Sequence, residues 1–283
     1  MTLFVSYNKR YVMNIEKLRL LYFSPTQTTQ KVLNAIAAGV QSDAVIHIDL
    51  TLPDSIRSKE PGKEIRIDDG LTIIGVPVYA GRVAPDAAGR IRQYKADGTP
   101  AVLVVLYGNR EFEDALRELK DLAVDAGFRP IAGGAFIGEH SFADSKFPIA
   151  RRRPDHKDIE KCSEFGALLR KKAQQVDSID SIPIPKFPGN YPYRDPNLLE
   201  DISPETLEDL CTRCGTCVSV CPTAAIVLED KVVTETGTCI VCCACVKNCP
   251  TGARVMKDPK ILGIAEWLWK NYSKRKEPEI FFG

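Results

Sequence analysis

Nine of the ten cysteines lie between Cys211 and Cys249, and eight of them fall into two runs of one spacing. Cys211, Cys214, Cys217 and Cys221 precede Pro222; Cys239, Cys242, Cys245 and Cys249 precede Pro250. Both runs read C-x-x-C-x-x-C-x-x-x-C-P. In a secreted chain such density would mean disulfides. Met1 to Met13, which includes Asn8, Lys9 and Arg10, has no apolar signal core, so the thiols are read as soft metal ligands. Structural zinc prefers C-x-x-C pairs split by a longer loop and has no use for a third closely spaced cysteine. Thiolate loops of the observed kind wrap iron–sulfur clusters, which pass single electrons and, with every iron held, bind no substrate.

The spacing is that of bacterial ferredoxins, in which the fourth cysteine of each run ligates the other cluster. Two [4Fe–4S] clusters are therefore expected. One takes Cys211, Cys214, Cys217 and Cys249; the other takes Cys239, Cys242, Cys245 and Cys221. An internal repeat points the same way, because Cys-Pro-Thr-Ala-Ala-Ile from Cys221 is echoed by Cys-Pro-Thr-Gly-Ala-Arg from Cys249. A segment of roughly 50 residues is near the lower limit for independent stability and is expected to fold around its inorganic cores. Cys243 is surplus to the pattern, and Cys162 lies on the apolar stripe of a helix. Both are read as non-ligands, Cys162 as a core residue.

The elements that must position this chemistry alternate in the first half of the chain. Five apolar runs, Leu18 to Phe23, Ala44 to Leu50, Leu71 to Val76, Ala101 to Leu106 and Pro130 to Ile137, read as parallel strands covered on both faces. Between them, Val32, Leu33, Ile36 and Val40 recur at helical spacing, as do Phe112, Ala115, Leu116, Leu119, Leu122 and Ala126. A last helix follows Asp155, an N-terminal capping residue, with Ile159, Cys162, Phe165 and Leu169 on one stripe. Five prolines from Pro183 to Pro196 then predict a stiff extended linker. The expected organisation is a lead-in over 1–17, an α/β domain over 18–177, the linker over 178–203, the cysteine domain over 204–257 and a C-terminal helix and tail over 258–283. The first dozen residues read as an extension or a misplaced start ahead of Met13.

After the first strand comes Ser24-Pro25-Thr26-Gln27-Thr28-Thr29, leading into a helix. Such a hydroxyl-rich turn suits a phosphate at a helix N-terminus, and equally an ordinary helix cap. With this loop stand Pro77-Val78-Tyr79-Ala80-Gly81-Arg82, Tyr107-Gly108-Asn109-Arg110, Gly138-Glu139-His140-Ser141-Phe142, Arg153-Pro154-Asp155 and Arg275-Lys276-Glu277-Pro278-Glu279. Over nearly its full length the chain resembles the flavodoxin–ferredoxin fusion, or ferrodoxin, family. The resemblance implies a flavodoxin-like doubly wound five-stranded parallel sheet binding FMN, followed by a small α+β bacterial-type 2[4Fe–4S] ferredoxin domain. It makes Ser24, Thr26, Gln27, Thr28 and Thr29 the phosphate loop, with Gln27 standing where that family usually has Gly. Pro77, Tyr79, Gly81, Arg82, Tyr107, Gly108 and Asn109 become the ring-binding loops at the strand ends, with Tyr79 and Tyr107 as stacking candidates. His140 is the candidate proton shuttle, set against the structural role a lone histidine commonly has. His47 and His156 have no constellation around them.

The formal net charge of +1 gives no global case for nucleic acid, and no run of 18 apolar residues predicts a membrane span. A cytoplasmic protein, from an anaerobe, is the expectation. The helix over Ile261 to Tyr272, with Trp267 and Trp269, is read as packing on its own chain or on a second subunit. Arg151, Arg152 and Arg153 form a dense basic run, a solvated face or a dock for an acidic carrier. The expected function is relay of low-potential electrons between two clusters and FMN, with a ferredoxin or a ferredoxin-dependent oxidoreductase as partner. A homodimer is expected to complete the path if the stiff linker holds a chain's clusters away from its own flavin. The alternative is a flavin-dependent reductase of a small molecule, its face opened by Arg82, Asn109 and His140.

Overall fold

The structure is a computed structural model that describes residues 15–53, 64–176 and 178–283; the proposed N-terminal extension lies outside them. Five parallel strands form the central sheet: β1 (Lys17–Tyr22), β2 (Ala44–Asp49), β3 (Leu71–Tyr79), β4 (Pro100–Tyr107) and β5 (Arg129–Ile137). Their spatial order is β2-β1-β3-β4-β5. This is the doubly wound order of flavodoxins, which reverses at β1 and β3 and opens a crevice beyond their carboxyl ends.

Helices α1 (Thr28–Val40), α2 (Pro85–Ile91), α3 (Ala115–Asp125) and α4 (His156–Ala173) cover the two faces. On one face Val32, Leu33 and Ile36 of α1 and Cys162, Phe165 and Leu169 of α4 bury against Leu20, Ile73 and Val104. On the other, α2 and α3 bury Ala88, Ile91, Leu116 and Leu119 against Leu21, Ile74 and Val105. Each such large apolar side chain contributes about 1.5–3 kcal/mol. Helix α4 starts where its cap is built: Asp155 accepts from the Asp158 amide, and the Asp158 carboxylate accepts from the Asp155 amide. Burial pushes the Cys162 thiol up to about 12, as befits a core cysteine.

Two features correct the reading of the sequence. Strand β2 is not covered on both faces, since Ala44 to His47 are exposed at the sheet edge. The opposite edge is closed by a strand that the tail supplies. After the cysteine domain, α7 (Pro259–Tyr272) leads to β8 (Glu279–Phe282), which pairs antiparallel with β5. Between the two domains the proline-rich stretch lies along the α/β domain. Phe187 enters its core, the amides of Asn190 and Arg194 donate to Asp114, and the Tyr193 hydroxyl donates to Asp121.

The cysteine domain is built from two matching halves. α5 (Thr216–Ser219) and α6 (Ala244–Lys247) each carry the third cysteine of a run, and a hairpin of β6 (Ile226–Leu228) and β7 (Val232–Thr234) lies between the runs. Arg254 and Val255 pair with Thr206 and Glu205 to tie the end of the domain to its start. Among the described residues no helix is long and apolar enough to cross a membrane.

Candidate functional site

The two cysteine runs close around two cavities, each of about 320 Å³ counting its open mouth. Cys211, Cys214, Cys217 and Cys249 line one; Cys221, Cys239, Cys242 and Cys245 line the other. Each cavity thus takes the first three cysteines of one run and the proline-flanked cysteine of the opposite run, and Cys243 also lines the inner one. The first quartet is the outer one, with Cys214 exposed and Cys211 and Cys249 half-buried; in the inner quartet Cys221, Cys242 and Cys245 are buried.

The donor chemistry fits clusters. Burial pushes the thiols of Cys239, Cys242 and Cys245 up, so an apolar wall alone would leave them neutral, and thiolate there requires a cation such as iron. Local donors are aimed at the sulfurs: the Ala225 amide lies 3.3 Å from Cys221 Sγ, and the Thr216 hydroxyl lies 3.3 Å from Cys214 Sγ. Donors of this kind tune a cluster through its sulfur ligands. Cys243 stands beside the inner quartet with its thiol directed at the Val241 carbonyl, 3.7 Å away.

The inner quartet abuts the carboxyl edge of the parallel sheet. Ile240, between Cys239 and Cys242, packs against the core of the α/β domain. Arg90 of α2 donates to the carbonyls of Leu50 and Thr51 and, at 2.7 Å, to the carbonyl of Pro222, which follows Cys221. Lys247 donates to Glu139 and to the Ala143 carbonyl in the loop after β5. Helix α7 packs on the chain itself, Ala265 and Leu268 meeting Ala143, Phe147 and Ile149, while Trp267 stays half exposed. Sequence reasoning grouped the cysteines as these cavities do and missed these fasteners, because Arg90 on α2 and Lys247 on α6 look like ordinary helix charges until their distant partners are known.

The hydroxyl loop after β1 has the form of an anion cradle. Gln27 takes the left-handed conformation, φ 62°, that suits glycine, and it begins α1 with no side-chain cap. Free first-turn amides are therefore left for an acceptor. The Ser24 hydroxyl accepts from the Gln30 amide and retains its own proton to donate; the Thr26 and Thr28 hydroxyls stand 3.3 Å apart. Thr29 differs from expectation. It is buried with its methyl toward Gly75, so the group it can offer an anion is its amide.

The ring-binding candidates separate into two sets. Pro77 and Tyr79, at the end of β3, are half-buried, and Tyr79 lies close enough to the inner quartet for Cys242 and Cys243, after burial, to raise its phenol. Tyr107, the other stacking candidate, is 3% exposed and packed at 5.4 Å on Phe112, which places its ring in the core. Asn109 is buried and donates to the carbonyls of Tyr272 and Lys274 in the tail. Arg82 is engaged bidentately by Glu118 at 2.7 and 2.8 Å and covered by the Tyr193 ring of the linker. Gly81 turns the chain beside Glu113 at φ 82°. Gly108 is needed for close approach, since a Cβ there would lie 2.2 Å from His140 Cδ2.

His140 is likewise held by its own chain, its Nδ1 accepting from the Phe142 amide at 3.1 Å. Burial, then the charges of Lys247 and Arg110, push it down to about 4, so the ring is neutral at neutral pH, with Nδ1 the acceptor and its one proton on Nε2. The basic run also divides: Arg151 and Arg152 are exposed, and Arg153 is buried against Asp158.

Comparison with known proteins agrees with the cysteine chemistry. Residues 204–227 match the 4Fe-4S binding domain family, a range that contains the first run and not the second. No curated protein matches the chain at a significant level. Among solved structures, similarity is found to a flavodoxin from the domain Archaea at 14% identity, over 56% of this chain and 99% of that one, with a TM-score of 0.35. The Fusobacterium nucleatum flavodoxin bound to flavin mononucleotide aligns at 15% identity over 55% and 98%, with a TM-score of 0.37. The rubredoxin oxygen:oxidoreductase of the anaerobe Desulfovibrio gigas aligns at 12% identity over 58%, with a TM-score of 0.37, and only 37% of its length is spanned. The fold assignment rests on the strand order of the sheet itself. The chain joins a flavodoxin-like α/β domain to a ferredoxin-type 4Fe-4S binding domain.

Proposed function

We propose that this chain is an electron carrier with two [4Fe–4S] clusters and an FMN site. The observation that carries the reading is the seating of the inner quartet, through Ile240 and the Arg90–Pro222 hydrogen bond, against the sheet edge where a doubly wound fold binds its ligand. Cys211, Cys214, Cys217 and Cys249 would hold the outer cluster and Cys239, Cys242, Cys245 and Cys221 the inner one. Ser24, Thr26, Thr28 and the Thr29 amide would hold the FMN phosphate, and Pro77 and Tyr79 the ring. Bound there, the clusters supply one-electron transfer and the flavin one- or two-electron transfer.

The residues divide the work by exposure. Cys214 and its neighbours Thr212 and Arg213 open the outer site to a protein partner such as a ferredoxin or a ferredoxin-dependent oxidoreductase. The buried inner thiols and Tyr79 exclude water from the junction with the α/β domain. Arg82, Asn109 and His140, which a small-molecule reductase would turn toward its substrate, are committed to Glu118, the tail and Phe142, and this favours the carrier. The reason for expecting a homodimer also falls away, because the proline-rich linker and β8 bring both domains together within one chain.

Anaerobic purification with iron, sulfide and flavin counts tests the reading. Two clusters' worth of iron and sulfide and one FMN per chain are expected, with transfer from clusters to flavin that does not depend on protein concentration. A chain that binds iron but takes up no FMN would overturn the flavin half, and transfer that scales with concentration would overturn the single-chain path.

A further inference from the structure

Arg254 occupies a place that the internal repeat reserves for an apolar residue. In the first half Cys221-Pro-Thr-Ala-Ala ends in Ile226; in the second Cys249-Pro-Thr-Gly-Ala ends in Arg254. Ile226 lines the inner cavity, whereas Arg254 lines both. Its side chain is 3% exposed. Nη1 donates to the Thr206 hydroxyl at 2.7 Å and Nη2 to the Thr234 hydroxyl at 2.8 Å, with Cys245 Sγ 3.7 Å from Nη2. Nε is buried without a hydrogen-bond partner, and among the described residues no carboxylate forms an ion pair with Arg254.

A buried guanidinium without an anion is expensive, so its place in the fold calls for a counter-charge. The groups facing it are the two cysteine quartets. It lines both cavities, with Nη2 3.7 Å from Cys245 Sγ of the inner quartet. A [4Fe–4S] cluster with four thiolates is anionic, and net charge and hydrogen bonds to sulfur set its potential. We propose that Arg254 is the shared counter-charge of both clusters, a positioning residue that holds both reduction potentials up and keeps them close together. The inference rests on the two-cluster reading. Reduction of each cluster takes one electron from an external one-electron donor, with no bond made or broken, and the added negative charge is what the guanidinium stabilises. Thr206 and Thr234 fix the fork between the two sites without neutralising it.

The test compares the wild-type chain with Arg254→Lys, Arg254→Gln and Arg254→Met, purified anaerobically. Iron and sulfide are counted, and both midpoints are followed by redox titration with electron paramagnetic resonance. In loaded Arg254→Gln and Arg254→Met both midpoints should move to more negative potential, and Arg254→Lys should stay nearer the wild type. Unchanged midpoints in the neutral variants, or a shift of one cluster alone, would overturn the proposal. If the neutral variants lose iron, Arg254→Lys decides: full loading with near-native midpoints supports the charge, and equal loss of iron assigns Arg254 a shape role and overturns it. A wild-type chain with iron for fewer than two clusters would instead remove the reading beneath the proposal, and the wild-type count alone reveals that.

Discussion

Asp158 joins the start of α4 to the tail that returns from the cysteine domain, and its replacement by alanine should be among the costliest single changes in the α/β domain. Its carboxylate is almost fully buried and accepts from Arg153 Nε at 2.8 Å, from Arg153 Nη2, from Arg275 Nη2 at 3.1 Å and from the Asp155 amide at 2.9 Å. Arg153 is buried too, and without Asp158 its guanidinium keeps the Lys276 carbonyl as its hydrogen-bond partner. Removing one partner of a buried pair costs about 3–5 kcal/mol, a range that takes in the half of the cap lost with the Asp158 carboxylate. A loss of about 4 kcal/mol is a large part of the 5–15 kcal/mol typical of a domain. With an m-value near 3 kcal/mol/M, the urea midpoint followed by far-ultraviolet circular dichroism should fall by about 1.3 M. Arg153→Met combined with Asp158→Leu removes both charges and should cost less than half as much. A loss below about 1 kcal/mol for Asp158→Ala, or a double variant as damaged as the sum of the two singles, would refute this account of the latch. Iron content should stay at the wild-type value throughout.

Two further outcomes are expected. Cys221→Ser should give the iron loss and spectrum of Cys242→Ser, and Cys249→Ser those of Cys214→Ser, because each proline-flanked cysteine lines the cavity of the opposite run; a Cys221→Ser spectrum matching Cys214→Ser would reverse the assignment. The His140 ring should show no titration near 6.5 by nuclear magnetic resonance, since its folded value lies near 4. As that value is depressed, His140 contributes stability that is complete above pH 6.5 and lost as pH falls toward 4. The loss is at most about 3.5 kcal/mol at 1.4 kcal/mol per pH unit, and His140→Gln should flatten this part of the stability profile.

The parts of the fold that were legible in the sequence are those set by local pattern. Buried parallel strands are continuous apolar runs whatever surrounds them, and cluster cysteines must sit at fixed short intervals because one loop wraps one cluster. What was not legible depends on long-range partners. Glu279 to Phe282 is too short to announce a strand, and becomes one because β5 has a free edge and Phe282 meets Phe165 at 5.6 Å. The linker's prolines foretold extension, but its fastening by Phe187 and Tyr193 depends on Asp121 and the core beneath. The burial of Tyr107 was legible in the strand pattern. Side chains alternate along a strand, and Tyr107 shares its parity with Leu103 and Val105, which face the α2 and α3 side of the core.

Three loops share one backbone device, and it accounts for the two residues that looked out of place. Gln27 before α1, Gly215 before α5 and Cys243 before α6 all take left-handed conformations, φ 62°, 77° and 57°. In each loop this turn swings the chain around a site before a helix starts. Gly215 adopts it freely, and the other two accept about 1–2 kcal/mol of local strain. Cys243 therefore corresponds to Gly215, two residues ahead of the third ligand of its run, and a backbone role explains its presence without a place in the quartet. Gln27 keeps the shape that glycine would give the hydroxyl loop while adding an exposed side chain at its rim, so the departure at this position changes what surrounds the cradle and leaves its backbone geometry intact.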